Sequence, residues 1–495
     1  MKLKGRKKLF ADTLGLGLTN ILLEGVGLVF QLYLVGVLGT EGIGLFELIS
    51  SVYVLATTFA VSGISMSVTR VITEAMSHDG SVRINDMMKK AFLISTLLGC
   101  AAMVMLFCLS GVFASVLIRT PETKTCFRIL SFGLPFMSVC SCLNGFFIAE
   151  RKAVKTASSY IIEDFIKMAI VFTIFSVLPP KNMIAGCTQL VAGLIIGEAV
   201  ACIISYLFYL PDKRRMRIHA LKSHGVVRQF LRIGVPVATS SYLRSGLTTL
   251  ENLLIPIGLQ KAGYSSAGAL SLFGSMKGLI LPTIFFPAAF LQAFTRVLVP
   301  EITEAYTKGD TQKIQRTGSK VLRVTLLFAI LVGAALGVFH EGLGQLIFHS
   351  AQQGKMLMML APLAPMMYLD GVVDGILKGM DEQVAVMRFN LYEAAIRCVL
   401  VYFILPHTGF IGFMITIYAG NSINAALSLH RLLKKSGIRI GFMRSVLLPA
   451  AAALTSCLLF YLIFRQMSLL SGTVLGIALA CISYALLLFR KKAAI

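Results

Sequence analysis

Four ionisable side chains sit inside runs that are otherwise almost wholly apolar: Glu24, Arg244, Glu251 and Lys277. If those runs cross a bilayer, each charge costs roughly 2.5–3.5 kcal/mol even on the mildest scale, so it must meet a partner, water or a charged ligand. The two cations suit an anionic headgroup, because phosphate oxygens accept strong charge-assisted hydrogen bonds from arginine and lysine. Glu24 and Glu251 would then balance charge or carry a coupling proton. Glu251 lies seven residues beyond Arg244, which puts both on one helix face two turns apart. The same four residues admit another reading, in which Arg244 and Glu251, or Glu24 and Lys277, are internal ion pairs that hold the protein together.

Other charges divide differently. Glu163/Lys167 and Glu393/Arg397 are acid-before-base pairs at i,i+4, a helix pairing that satisfies itself and needs no ligand. Asp370 and Asp374 share a helix face with Lys378 one turn on, which leaves a cation site open there, and Glu47 stands near a span end where it can reach water. No P-loop, HExxH or nucleophile elbow occurs, and the seven histidines fall in loops or near span ends. These absences point away from an enzyme, a metal centre or a bound cofactor. Uphill work would need an ion gradient, of H⁺ or Na⁺, or the gradient of the substrate itself.

The elements that carry these residues are greasy. Composition is 56% hydrophobic and 14% charged, with a mean hydropathy of +0.81; globular domains are about a quarter charged. Apolar runs long enough to span a bilayer recur from end to end, so the expected fold is an all-α polytopic membrane protein. We read fourteen spans, near 10–38, 44–69, 91–118, 126–148, 157–178, 184–210, 231–257, 267–300, 321–348, 356–377, 385–405, 409–430, 445–464 and 468–489. The eighth belongs to Ser271–Tyr306, where Lys277, Arg296 and three prolines interrupt an apolar stretch, the signature of a broken helix beside a polar cavity. Lysine and arginine alternate by loop, 34 in the termini and even-to-odd loops against six in the others, which places both termini in the cytoplasm. The net charge of +23 therefore serves topology and not nucleic acid, and the basic segment 211–230 reads as a connector lying on anionic headgroups. Met1–Lys8 leads into a span too long for a cleavable leader. The ten cysteines have no metal-ligand spacing and read as reduced packing residues.

An internal repeat organises the spans. ITEA at 72–75 returns at 302–305, and the same offset of 230 residues relates Gly145 to Gly375, Glu163 to Glu393 and Lys167 to Arg397. Two six-span copies in the same orientation follow: residues 1–225 as an N-terminal lobe and 226–440 as a C-terminal lobe, with 441–495 as two added spans. Such lobes could rock about a central cavity.

The runs GLILPTIFFPAAFLQAFTRVLVPEITEAY, GFFIAERKAVKTASSYIIEDFIK and GILKGMDEQVAVMRFNLYEAAIRCVLVYFILPHTGFIGF resemble the polysaccharide-exporter branch of the multidrug/oligosaccharidyl-lipid/polysaccharide (MOP) flippase superfamily. Within it they are similar to the stage V sporulation protein B group, relatives of the lipid II flippases. The resemblance implies a flippase for an undecaprenyl-pyrophosphate-linked glycan, with membrane lipids and that substrate as its partners and the bacterial cytoplasmic membrane as its location. Lys277 matches in type an arginine that lipid II flippases carry in span 8. Glu24, Phe30, Thr57 and Thr58 stand where the other arginines of that cluster are expected, so the pattern departs from lipid II itself. A cation-coupled exporter of small drugs or metabolites, using Glu24, Asp370 and Asp374, is the alternative of the same superfamily.

Overall fold

The computed structural model describes residues 2–77, 84–150, 152–215, 225–438, 441 and 443–492. Every regular element among the described residues is helical. Among the described residues, ten stretches are long and apolar enough to cross a membrane by length and composition. One of the ten joins the first two expected spans, because Lys2–Val61 runs as a single helical element in which Gly39 takes φ 71° and ψ 170°. Glycine has no Cβ to forbid that turn, so the chain changes direction there without unwinding on either side. Helices also occupy Ala153–Val177, Val226–Lys261 and Gln383–Phe403, but their charged and polar residues leave them below that measure. The basic segment expected at 211–230 continues the Met183–Arg215 helix at its start, and its central part, 216–224, lies outside the described residues.

The stretch around Lys277 is broken, as its prolines require, and broken more finely than expected. It comprises the α-helix Ser266–Gly274, a π-helical turn Ser275–Ile280, the short helix Leu281–Phe285 and the helix Ala288–Thr307. Pro282 occupies the first turn of the third piece and Pro287 caps the fourth, positions where the missing N–H costs nothing. Lys277 rides on the π-turn, a departure from regular helix that concentrates at functional sites. The side chain of Arg296 lies outside the described ones.

By contact density the chain divides into two compact units. One comprises 37–257 with 266–271, and the other 1–36, 258–265 and 272–495. The first has a core of Ile64, Val68, Ile72, Phe146, Phe147, Tyr209 and Phe230, with Phe146 meeting Tyr209 edge to face at 5.1 Å. In the second, Leu448–Phe464 and Leu469–Lys492 pack on Thr311–Val338 through Ala453, Cys457, Ala480 and Tyr484. Gly25 of the first helix also belongs to this unit, where a Cβ would stand 3.4 Å from Phe286 of the broken stretch.

Equivalent positions of the repeat make equivalent contacts. A Cβ on Gly145 would lie 2.6 Å from Ser65 O, and one on Gly375 would strike Thr295, which stands 230 residues after Ser65. Lys167 lays its stem over Gly197 just as Arg397 lays its own over Gly420, with a Cβ on either glycine only 2.5 Å from a side-chain carbon. At one end of the helix pairs Lys152 Nζ meets Asp212 Oδ1 at 2.6 Å, while Lys435 Nζ meets Glu382 Oε1 at 3.1 Å, so the copies keep the bridge and reverse its charges. Hydrogen bonds from Arg431, and then from Lys435, hold the Glu382 carboxyl below its usual range. Its contribution is thus complete at neutral pH and is lost as pH falls through that lowered value.

Gly371 and Gly375 share a helix, but a Cβ on Gly371 would meet nothing within 4 Å. Gly375→Ala is therefore expected to cost about 1–3 kcal/mol by overpacking, and Gly371→Ala to be neutral or slightly stabilising. Thermal unfolding in detergent checks this, and equal behaviour of the two variants would contradict the packing.

Candidate functional site

Each unit contains its own buried polar cluster, built on repeat-equivalent helices. In the first, Lys167 donates to Glu163 Oε1 at 2.7 Å and reaches Glu198 Oε1 at 3.5 Å, while Tyr53 Oη donates to Glu198 Oε2 at 3.0 Å. Asn144 donates to Tyr160 Oη at 3.2 Å. Glu163, Glu198, Asn144 and Tyr160 line a cavity of about 140 Å³, with Val61, Ser65, Met137, Cys140 and Ser141 completing the wall. A water occupies about 30 Å³ of liquid volume, so the space suits a few waters and is far too small for a sugar chain. Two acids share one lysine here, which leaves a carboxyl in want of a proton or a cation.

Sequence reasoning that stops at the Glu163/Lys167 pair misses Glu198. The signal was available, since Glu198 is a lone acid in the apolar run AGLIIGEAVACII and meets the criterion that selects Glu24. Interhelical hydrogen bonds in membranes average about 0.6 kcal/mol, less than the cost of holding a charge at depth. A triad of this kind is therefore poorly explained as a stabilising device alone.

In the second unit Asn424 donates to Asp370 Oδ2 at 2.9 Å, Ser428 to Asp374 Oδ1 at 3.2 Å and Asn390 to Asp374 Oδ2 at 3.4 Å. Arg397 donates to Glu393 at 3.2 Å. Asp370 Oδ1 and Asn424 Oδ1 are buried without a hydrogen-bond donor. Asp374 and Asn390 occupy the places of Asn144 and Tyr160 in the other copy, so the two clusters share geometry and differ in chemistry. Among the described residues no group of three or more His, Cys, Asp or Glu is placed to hold a metal ion.

The four residues singled out first fall two to a unit. Glu24 and Lys277 belong to one, Arg244 and Glu251 to the other. Arg244 and Glu24 are exposed and make no hydrogen bond or ion pair with another described residue. Lys277 is half-buried and Glu251 is 2% exposed, and both have polar partners. The internal ion pairs Arg244–Glu251 and Glu24–Lys277 are thus not formed among the described residues.

Removing Lys167 strands two acids, and breaking a buried pair from one side costs about 3–5 kcal/mol. Lys167→Met should destabilise by that order, and adding Glu198→Gln should restore much of the loss. A double-mutant cycle on unfolding midpoints reads this, and simple additivity would contradict the shared network.

A family model described as "Polysaccharide biosynthesis protein" matches residues 9–305. Stage V sporulation protein B of Bacillus subtilis (strain 168) is 19% identical over 402 residues, covering 80% of this chain and 78% of that protein. Lipid II flippase MurJ of the same organism is 20% identical over 410 residues, covering 76% and 72%. Among solved structures, lipid II flippase MurJ in an inward closed conformation superposes with a TM-score of 0.71 at 13% identity, over 98% of this chain and 100% of that one. An inward-facing multidrug resistance MATE family transporter of the MOP superfamily gives 0.65 at 14% identity, over 84% and 96%. At such identities the superpositions speak to the fold, and the family match to descent. The chain belongs to the polysaccharide biosynthesis protein family within the MOP flippase superfamily, and it is a multi-pass membrane transporter and not an enzyme.

Proposed function

We propose that this transporter is a flippase that moves an undecaprenyl-pyrophosphate-linked oligosaccharide or peptidoglycan precursor across the bacterial cytoplasmic membrane by alternating access. The observation that carries the reading is Lys277, a cation on a π-turn within a proline-broken apolar helix. A pyrophosphate is the chemistry that rewards such a cation, and Arg244, exposed and without a described partner, supplies a second. Glu24 and Glu251 are the carboxylates assigned to charge balance or to a coupling proton. The relatives named as a lipid II flippase and a sporulation protein support the substrate class.

In this reading the three charged helices Ala153–Val177, Val226–Lys261 and Gln383–Phe403 also cross the membrane. That gives fourteen spans arranged as lobes 1–225 and 226–440 with two further helices in 441–495. The distribution of lysine and arginine supports cytoplasmic termini. The division gives meaning to a row of contacts on the Val226–Lys261 helix. Ser67 donates to Phe230 O at 3.1 Å, Thr58 to Ser245 Oγ at 3.1 Å and Thr249 to Ser51 O at 2.9 Å, and a Cβ on Gly63 would lie 2.5 Å from Gly234 O. With lobes drawn at 225/226 these contacts form a seam that must part in every transport cycle.

One observation favours a cation-coupled exporter of small drugs or metabolites instead: the acidic cluster of Asp370 and Asp374. That reading requires Asp374→Asn to abolish drug extrusion in whole cells, whereas the flippase reading requires an envelope or spore defect in a deletion strain without drug hypersensitivity.

Two outcomes are expected in vesicles carrying candidate lipid-linked glycans, read by leaflet exposure. Arg244→Ala and Lys277→Ala, at matched protein levels, should each lower the initial rate at least tenfold, about 1.4 kcal/mol or more of lost stabilisation; full activity in both would end the headgroup role. Oxidative cross-linking of Thr58→Cys to Ser245→Cys should arrest transport and a reductant should restore it. Undiminished flipping by the cross-linked protein would refute a moving seam.

A further inference from the structure

Away from the clusters just described, the second unit holds a cavity of about 250 Å³ at the tip of the last helical hairpin. Its wall includes Phe339, Glu341, Tyr461, Phe464, Arg465 and Ser468. The tip is built and not loose. Arg465 N donates to Tyr461 O at 2.9 Å, Met467 N to Phe464 O at 3.0 Å and Gly472 N to Ser468 O at 2.8 Å. Tyr461 Oη donates to Glu341 Oε2 at 3.1 Å, and its ring meets Phe339 edge to face at 5.9 Å, which fixes the carboxylate on one side. Arg465 contributes the opposite charge without forming an ion pair with Glu341 among the described residues.

The surroundings say what kind of molecule fits. The cavity lies where two apolar helices, Leu448–Phe464 and Leu469–Lys492, both end, which is the headgroup level of a bilayer. Just inside that level Leu462, Ile463, Leu469 and Leu470 are exposed and would lie against acyl chains. Drug-sized ligands occupy pockets of about 300–1,000 Å³, so 250 Å³ suits a compact headgroup and not a glycan. The guanidinium of Arg465 matches a phosphate. The Glu341 carboxylate would attract an ammonium and repel a second negative charge. Tyr461 supplies the interfacial aromatic in a chain that has no tryptophan.

We propose that this cavity is a binding site for a zwitterionic, amine-bearing glycerophospholipid, with its phosphate on Arg465, its ammonium on Glu341 and its chains along the exposed leucines. The cavity shares no lining residue with the one beside Glu163 and Glu198, and its occupant is a resident lipid and not the cargo.

The test is native mass spectrometry of the full chain released from vesicles of equimolar phosphatidylethanolamine and phosphatidylglycerol. The wild type should retain one lipid with at least fivefold enrichment of phosphatidylethanolamine. Arg465→Ala should lose that retention. Glu341→Gln, which keeps the shape and removes the charge, should keep a bound lipid but abolish or invert the preference. Equal retention of the two lipids by the wild type would overturn the proposal without reference to any variant. So would an unchanged preference in Glu341→Gln, because the lipid would then be a member of the unselective annulus.

Discussion

A charge inside an apolar helix must be answered, and the ways this chain answers its charges govern the rest of the structure. Lys167 and Arg397 are each met by an acid one turn back, and each lays its stem over a glycine of the next helix. The glycine permits the close approach, the approach keeps the charge out of lipid, and the pair fixes how the two helices meet. Because both copies use the device, the arrangement of helices follows from local chemistry repeated and not from one global template.

The charges left over are the informative ones. After Lys167 is shared between Glu163 and Glu198 an acid remains unbalanced, and in the other unit Asp370 accepts from Asn424 while Asp374 accepts from Ser428 and Asn390. The cavity of about 140 Å³ beside the first of these clusters is far too small for a lipid-linked sugar. Arg244, by contrast, is exposed and makes no hydrogen bond or ion pair with another described residue.

Much of this was legible in the sequence, for physical reasons. Apolar length marks the membrane helices, and prolines mark the break around Lys277. The offset of 230 residues relates positions that prove to make matching contacts. What the letters hid is equally physical. The Lys152–Asp212 bridge returns as Glu382 with Lys435, so identity across the repeat is lost although the electrostatics are kept. The π-turn at Ser275–Ile280 depends on how prolines and neighbours share a strain that no residue type announces. The engagement of Tyr53 with Glu198 joins residues 145 positions apart, beyond the reach of any helical spacing rule.

The central claim is that Arg244 and Lys277 read the charge of a lipid-borne headgroup. The most direct measurement is equilibrium binding of undecaprenyl pyrophosphate, undecaprenyl phosphate and the uncharged alcohol to the purified protein at two ionic strengths. The account predicts affinity that rises with headgroup charge, is strongest for the pyrophosphate and weakens as salt screens the contact. Equal affinity for the three lipids, unaffected by salt, would contradict it.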